Sequence, residues 1–275
     1  MKIKAGDIKG IALEAGGVRV AAYLPVIDSL IKNGANLTHF SGTSGGSIIA
    51  ALLAYGYTVQ DISKKIQEGL MERMNPFVGI FNAIKRNGLR DSGAIEEVMS
   101  ELIFECRFED FPGLYIYAIN ENTGTLELFS SETTPKLTVA KGCAASCAIP
   151  LYYTSVKIDG FDYFDGGALN PFPIAVLRDV GGLRAEQILG LKIDTSSEIV
   201  GSIFKAKSFI GRLSRMIDIM IQGNAKKHLP DDLFERTISI PDMGVSATKF
   251  KLSRDEKFLL SASGFTASKK IEWAK

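Results

Sequence analysis

The chain has 275 residues, 46% of them hydrophobic and 23% charged, with a formal net charge of +1. That is enough chain to bury one substantial core, so a single α/β domain over residues 1–275 is the simplest organisation. The near-zero charge excludes the concentrated basic face expected of a general nucleic-acid binder.

The first predicted element is a buried strand over Ile8–Glu14, followed by Ala15-Gly16-Gly17-Val18-Arg19-Val20 at the start of a helical stretch. Such a glycine-rich turn can aim the N–H groups of Gly16, Gly17 and Val18 at one point, where a phosphate or a developing oxyanion would sit. A dinucleotide site is excluded by spacing: Gly-x-Gly-x-x-Gly is absent, and no acidic residue ends the next strand at Leu37–Ser41. That second strand runs into Gly42-Thr43-Ser44-Gly45-Gly46 and straight out into an apolar helix. A serine there sits on a turn so tight that Gly42 and Gly46 are needed for the backbone to close, which leaves Oγ accessible above the sheet. His39, five residues before Ser44 on the feeding strand, reads as a packed or edge histidine.

The segment 71–91 interrupts the alternation. Its bunched Phe77, Ile80 and Phe81, with Lys85, Arg86 and Arg90 behind them, suggest a cap over the site that meets a membrane surface. A helix starts near Ser92, strands are predicted at Leu114–Asn120 and Thr125–Phe129, and a helix over Leu137–Cys147. Asp159-Gly160 is a two-residue hairpin signal, so Phe161–Phe164 returns as a strand and Asp165 stands at its end, ahead of Gly166 and Gly167. On its own Asp165 also fits an ordinary turn residue. A last strand is expected at Gln187–Ile193, and the amphipathic stretch Ile203–Gln222 is a second candidate for membrane contact, with ordinary packing on the sheet as the simpler reading. This order describes a three-layer α/β/α sandwich with a central, mostly parallel sheet and its reactive groups at strand ends.

The three segments around Gly16, Ser44 and Asp165, in that order and spacing, resemble the patatin-like phospholipase family. The run Ala144-Ala-Ser146-Cys-Ala148-Ile149-Pro150 and Asn170-Pro-Phe-Pro173 is similar to that family's flanking sequence, so the resemblance covers residues 8 to about 195. It implies a lipid acyl hydrolase of phospholipase A or lysophospholipase type that works through a seryl acyl-enzyme. The implied catalytic pair is Ser44 and Asp165, with oxyanion donors at Gly16, Gly17 and Val18 and with Arg19 supporting the loop or meeting a phosphate. The elbow and Asp-Gly-Gly glycines are Gly42, Gly46, Gly166 and Gly167. The chain holds only two histidines, His39 and His228, and neither is well placed for a triad.

Two departures matter. Ala15 and Val20 stand where the family has glycines, and a β-branched residue in the first turn is expected to stiffen the loop, so Val20→Gly should preserve or raise kcat. A transacylase on the same site, or a lipid-binding protein of the same fold without turnover, are the alternative readings. No cofactor is implied. Cys106, Cys143 and Cys147 make no metal site, and Asp159, Asp162 and Asp165 lack the ligand spacing of a calcium loop. With few cysteines, no signal peptide ahead of Asp7 and no apolar run of about 18 residues, a cytoplasmic protein with peripheral membrane association and a lipid substrate is expected.

Overall fold

The computed structural model describes residues 2–79, 87–195, 219, 223, 224, 227 and 229–274. Its frame is an eight-stranded sheet. The strands are β1 (Gly10–Leu13), β2 (His39–Thr43), β3 (Leu114–Asn120), β4 (Thr125–Phe129), β5 (Val156–Ile158), β6 (Phe161–Asp165), β7 (Ile188–Asp194) and β8 (Thr237–Pro241). They lie in the order β8-β7-β1-β2-β3-β6-β5, with β4 also paired to β3. From β8 to β3 every pairing is parallel, whereas β4, β6 and β5 join antiparallel.

Alternating side chains feed two cores. Ile11 and Leu13 of β1, Leu114, Ile116 and Ala118 of β3, and Leu189, Leu191 and Ile193 of β7 enter the larger one. Ala12, Tyr115 and Ile188 point to the smaller one with Phe172, Ile174 and Leu177. The period of two places both faces of a parallel sheet against apolar layers, which is why these strands read as nearly continuous hydrophobic runs. The larger core is closed by α1 (Leu24–Lys32), α2 (Gly45–Tyr55), α3 (Val59–Gln67), α4 (Gly93–Ile103), α5 (Val139–Cys147) and α6 (Arg254–Ser268). The three-layer α/β/α architecture expected from the sequence is thus present. Its departures are local: the stretch Gly17–Tyr23 is a 3-10 turn that becomes α-helical only at Leu24, and β2 starts two residues later than Leu37.

Two strands share one edge of β3, and this arrangement positions the site. β4 takes one edge along Ile116–Asn120. On the other edge β2 pairs with Leu114–Tyr117 and β6 with Ala118–Asn120. Because β2 runs parallel to β3 and β6 antiparallel, their C-terminal ends meet head to head: Thr43 lies opposite Tyr117 and Asp165 opposite Ala118. The β5–β6 turn is the predicted Asp159-Gly160 hairpin, with φ of +49° and +85° as a type I′ turn requires.

Candidate active site

Ser44 follows β2 at once and begins α2 with φ +54° and ψ −131°, a conformation that costs a non-glycine residue on the order of 1–3 kcal/mol. The surroundings impose it. A Cβ on Gly42 would overlap the Gly46 carbonyl, and one on Gly46 would overlap the Leu13 carbonyl, so strand, elbow and helix approach one another at backbone distance. Tyr117, where β2 gives out, accepts a hydrogen bond from Ser146 Oγ (2.7 Å), and Ser146 Oγ in turn accepts from the Ser44 N–H (2.9 Å). Ser146 is wholly buried on α5 and stitches the gap between β2 and β6. The local sequence around Ser146 carries no signal for this role.

Asp165 is 6% exposed and faces Ser44 across that gap. Its Oδ1 accepts the Gly167 N–H (2.7 Å). That bond and the nearby Ser44 hydroxyl favour the charged form, but burial outweighs them and pushes the carboxyl up to about 7. A base with that value can hold or release a proton near neutrality. His39 sits at the far end of β2, roughly 16 Å from Ser44 by strand rise. There its ring hydrogen-bonds Thr38 Oγ1 (2.9 Å) and stacks on Tyr115, and burial lowers its pKa. His228 lies outside the described residues, as do Ile80, Phe81 and the stretch Ile203–Gln222 except Ile219.

The loop before the 3-10 turn carries the expected donors, with one correction. The Val18 N–H donates to the Ala247 carbonyl (3.0 Å) and is therefore taken. Ala15 spends its N–H on Pro171 (2.8 Å), so the alanine there affects no donor that faces the site. Gly16 and Gly17 N–H have no hydrogen-bond partner among the described residues. Gly17 has φ +55°, and a Cβ on it would overlap Ala247 O, which makes glycine the residue this turn can accept. Arg19 is 2% exposed and structural: its Nε and its own N–H both donate to the Gly16 carbonyl (3.1 Å each), and Nη1 reaches Asp242 and Thr195 (3.4 Å each). Since a trans amide points N–H opposite to C=O, clamping the Gly16 oxygen fixes the direction of the Gly17 N–H.

Gly17, Ser44 and Gly45 line a narrow cleft whose other walls are apolar. Ile48 and Ile95 come from α2 and α4, Ile149 and Tyr153 from the segment after α5, and Phe250 from the C-terminal part of the chain. Met71 and Met74, both buried, complete it, so these two residues of the expected cap are part of its wall. Tyr153 holds that wall by donating to the Met74 carbonyl (3.1 Å). Cys147 also lines the cleft, 3.8 Å from Ser47 Oγ. Ser47 gives its one hydroxyl proton to the Ser44 carbonyl (2.6 Å), so the Cys147 thiol is the donor of that pair. Burial keeps the thiol protonated, with its pKa raised well above the usual value. Among the described residues no cluster of three or more His, Cys, Asp or Glu could hold a metal ion.

The glycine turn, the strained serine and the buried carboxyl all lie within residues 11–178, which the sequence model of patatin-like phospholipases matches. The chain belongs to the patatin-like phospholipase family. It is 28% identical over 191 residues to an uncharacterised protein of Acanthamoeba polyphaga mimivirus, covering 65% of this chain and 64% of that one. It is 26% identical over 183 residues to a protein of Invertebrate iridescent virus 6 named a probable lipid hydrolase, covering 61% and 62%. The patatin-like fold is also that of VipD from Legionella pneumophila, with a TM-score of 0.60 at 17% identity over 96% of this chain and 66% of VipD. The chain thus spans just under two thirds of the length of each of these proteins.

Val20 is the patatin-loop departure that the structure reinterprets. It is fully buried, and its Cγ1 packs under Gly16 and Gly45, 3.3 and 3.1 Å from where their Cβ atoms would be. The valine therefore supports the turn. Val20→Gly is expected to cost about 3 kcal/mol by urea unfolding, through lost packing and added backbone freedom, and to lower kcat. Unchanged stability would refute this support.

Proposed function

We propose that this patatin-like chain is a lipid acyl hydrolase in which Ser44 attacks a carboxylic ester while Asp165 takes its proton. What supports the reading most is one juxtaposition: a buried carboxyl with a near-neutral pKa, facing a strained serine at the wall of an apolar cleft. The Gly17 N–H and the Gly45 N–H at the start of α2 hold the oxyanion, helped by the positive end of that helix. Attack forms an acyl-enzyme and expels the alcohol, which takes the proton from Asp165; water then repeats the sequence in reverse roles. The cleft walls of Ile48, Met71, Met74 and Phe250 accept the acyl chain. Ala15 removes no donor, which weakens the reading of a fold without turnover. Mass spectrometry after treatment with a fluorophosphonate probe tests the assignment: labelling is expected at Ser44, and a folded protein left unlabelled there would overturn it.

Two exposed apolar side chains lie close to cleft residues. Phe77 is 54% exposed with the Arg90 guanidinium 5.3 Å over its ring, and Leu151 is 54% exposed at φ +64°. Phe77 follows Met74 by three residues and bridges Arg90, and Leu151 lies between Ile149 and Tyr153 in the small sheet that pairs Gly88–Arg90 with Leu151–Tyr153. They rest on the lipid surface from which the substrate is drawn. Replacing Phe77 and Leu151 by Ser is expected to weaken sedimentation with phosphatidylglycerol vesicles about tenfold while a soluble short-chain ester is cleaved at nearly the original rate. Equal loss on both substrates would mean that the pair serves the core.

A further inference from the structure

The end of α5 holds the backbone of both members of the proposed catalytic pair. Ser146, in its last turn, accepts the Ser44 N–H on Oγ (2.9 Å), and the carbonyl of Ala148, two residues on, accepts the Asp165 N–H (2.9 Å). The Ser146 hydroxyl has one proton, which it gives to the Tyr117 carbonyl (2.7 Å). It therefore stands between two backbone groups at the point where β2 parts from β3. The helix that carries it is itself docked on the elbow helix, because the Cys143 thiol donates to the Ser47 carbonyl of α2 (3.7 Å). Ser44, Ser146, Ala148 and Asp165 are all buried, so a lost partner there is costly.

We propose that Ser146 is a positioning residue for the nucleophile: its hydroxyl, inserted between the Ser44 N–H and the Tyr117 carbonyl, holds Ser44 in the backbone conformation that presents Oγ to Asp165. The φ and ψ of a residue are set by the peptide planes before and after it. The plane after Ser44 is fixed inside α2, where the Ser47 N–H and the Ser47 hydroxyl both donate to the Ser44 carbonyl (2.8 and 2.6 Å). The plane before it carries the Ser44 N–H, and Ser146 is the partner of that N–H. A φ of +54° is unfavourable for serine, so the plane turns back once its N–H is released, and Oγ moves with it. Asp165 does not follow, because its own N–H stays on the Ala148 carbonyl. Gly42 and Gly46 make room for the tight turn, and Ser146 sets the direction in which it points.

This inference rests on the proposed function in calling Ser44 the nucleophile, and its first test does not depend on turnover. In a crystal structure of the Ser146→Ala protein the φ of Ser44 is expected to leave the positive range; a φ still near +54° would overturn the proposal even if the enzyme reading stands. In solution, Ser146→Ala is expected to lower kcat on p-nitrophenyl butyrate about thirtyfold with KM within about twofold, and to slow fluorophosphonate labelling of Ser44 by a similar factor. Ser41→Ala is the control for the ordinary loss of a buried serine bond. Ser41 lies on the same strand, is equally buried and donates to the Pro173 carbonyl (2.8 Å), so kcat is expected to stay within about twofold there. Equal losses of kcat in the two variants, or a Ser146→Ala kcat within about twofold of native, would reduce Ser146 to a structural tie and overturn the proposal. If Ser146→Ala does not fold, Ser146→Cys takes its place, since a thiol fills the site but is a weak donor and acceptor. A loss of about tenfold in kcat is expected from it, and native kcat would likewise overturn the proposal. Absent fluorophosphonate labelling of the native chain would count against the enzyme reading alone.

Discussion

Asp165→Asn is expected to abolish hydrolysis of short-chain esters almost as completely as Ser44→Ala, with kcat falling at least about a thousandfold in each and both proteins folded by circular dichroism. The amide keeps the shape and the acceptor for Gly167, but it cannot take the Ser44 proton. In the native chain kcat/KM should rise with pH through about 7 as the carboxyl ionises. Stability should move the other way. A carboxyl raised from 3.8 to about 7 binds more protons folded than unfolded between those values, so unfolding free energy falls as pH rises across that window. Asp165→Asn should flatten part of this decline. An Asn variant that keeps a tenth of native activity would remove Asp165 from the mechanism.

Gly46→Ala is expected to disrupt the fold around the site strongly. The added carbon would meet the Leu13 and Glu14 carbonyls, so α2 would have to leave the strand ends or Ser44 would have to abandon its backbone conformation. A loss of about 3 kcal/mol or more in urea unfolding is expected, together with loss of fluorophosphonate labelling. Gly6→Ala is the control, because the nearest atom to its added methyl is the Gly34 carbonyl oxygen at 4.0 Å; a change within about 0.5 kcal/mol is expected there. Equal effects at Gly6 and Gly46 would refute the close-approach argument.

Much of this was legible in the sequence because the local signals and the tertiary context agree. The strand at Leu114–Asn120, the hairpin at Asp159-Gly160 and the start of a helix at the elbow carry their own turn chemistry and periodicity. Patterning could not say which N–H groups of a glycine turn stay free. The Val18 donor is consumed by Ala247, a residue 229 positions away in a region where the family resemblance had faded. Phe250 and Asp242 were missed for the same reason: each is an ordinary residue locally, and only the return of the chain after β8 brings one into the cleft and the other to Arg19. Val20 was misjudged because a β-branched residue looks costly in a tight turn until its methyl is seen packing beneath two glycines. Gly45 had a signal, its place directly after the serine at a helix start.

The head-to-head meeting of β2 and β6 on one edge of β3 has a bearing on how this protein matures. Ser44 and Asp165 are 121 residues apart in sequence, and neither strand touches the other until β3 has been laid between the segments that bring them. Pairings of that separation form late, after the entropy of closing long loops has been met. Partly folded chains, and any proteolytic fragment cut between β4 and β5, therefore hold one reactive group without the other. A newly made chain cannot bring Ser44 and Asp165 together until its sheet is complete, and fluorophosphonate labelling of Ser44 during refolding is expected to report that final step.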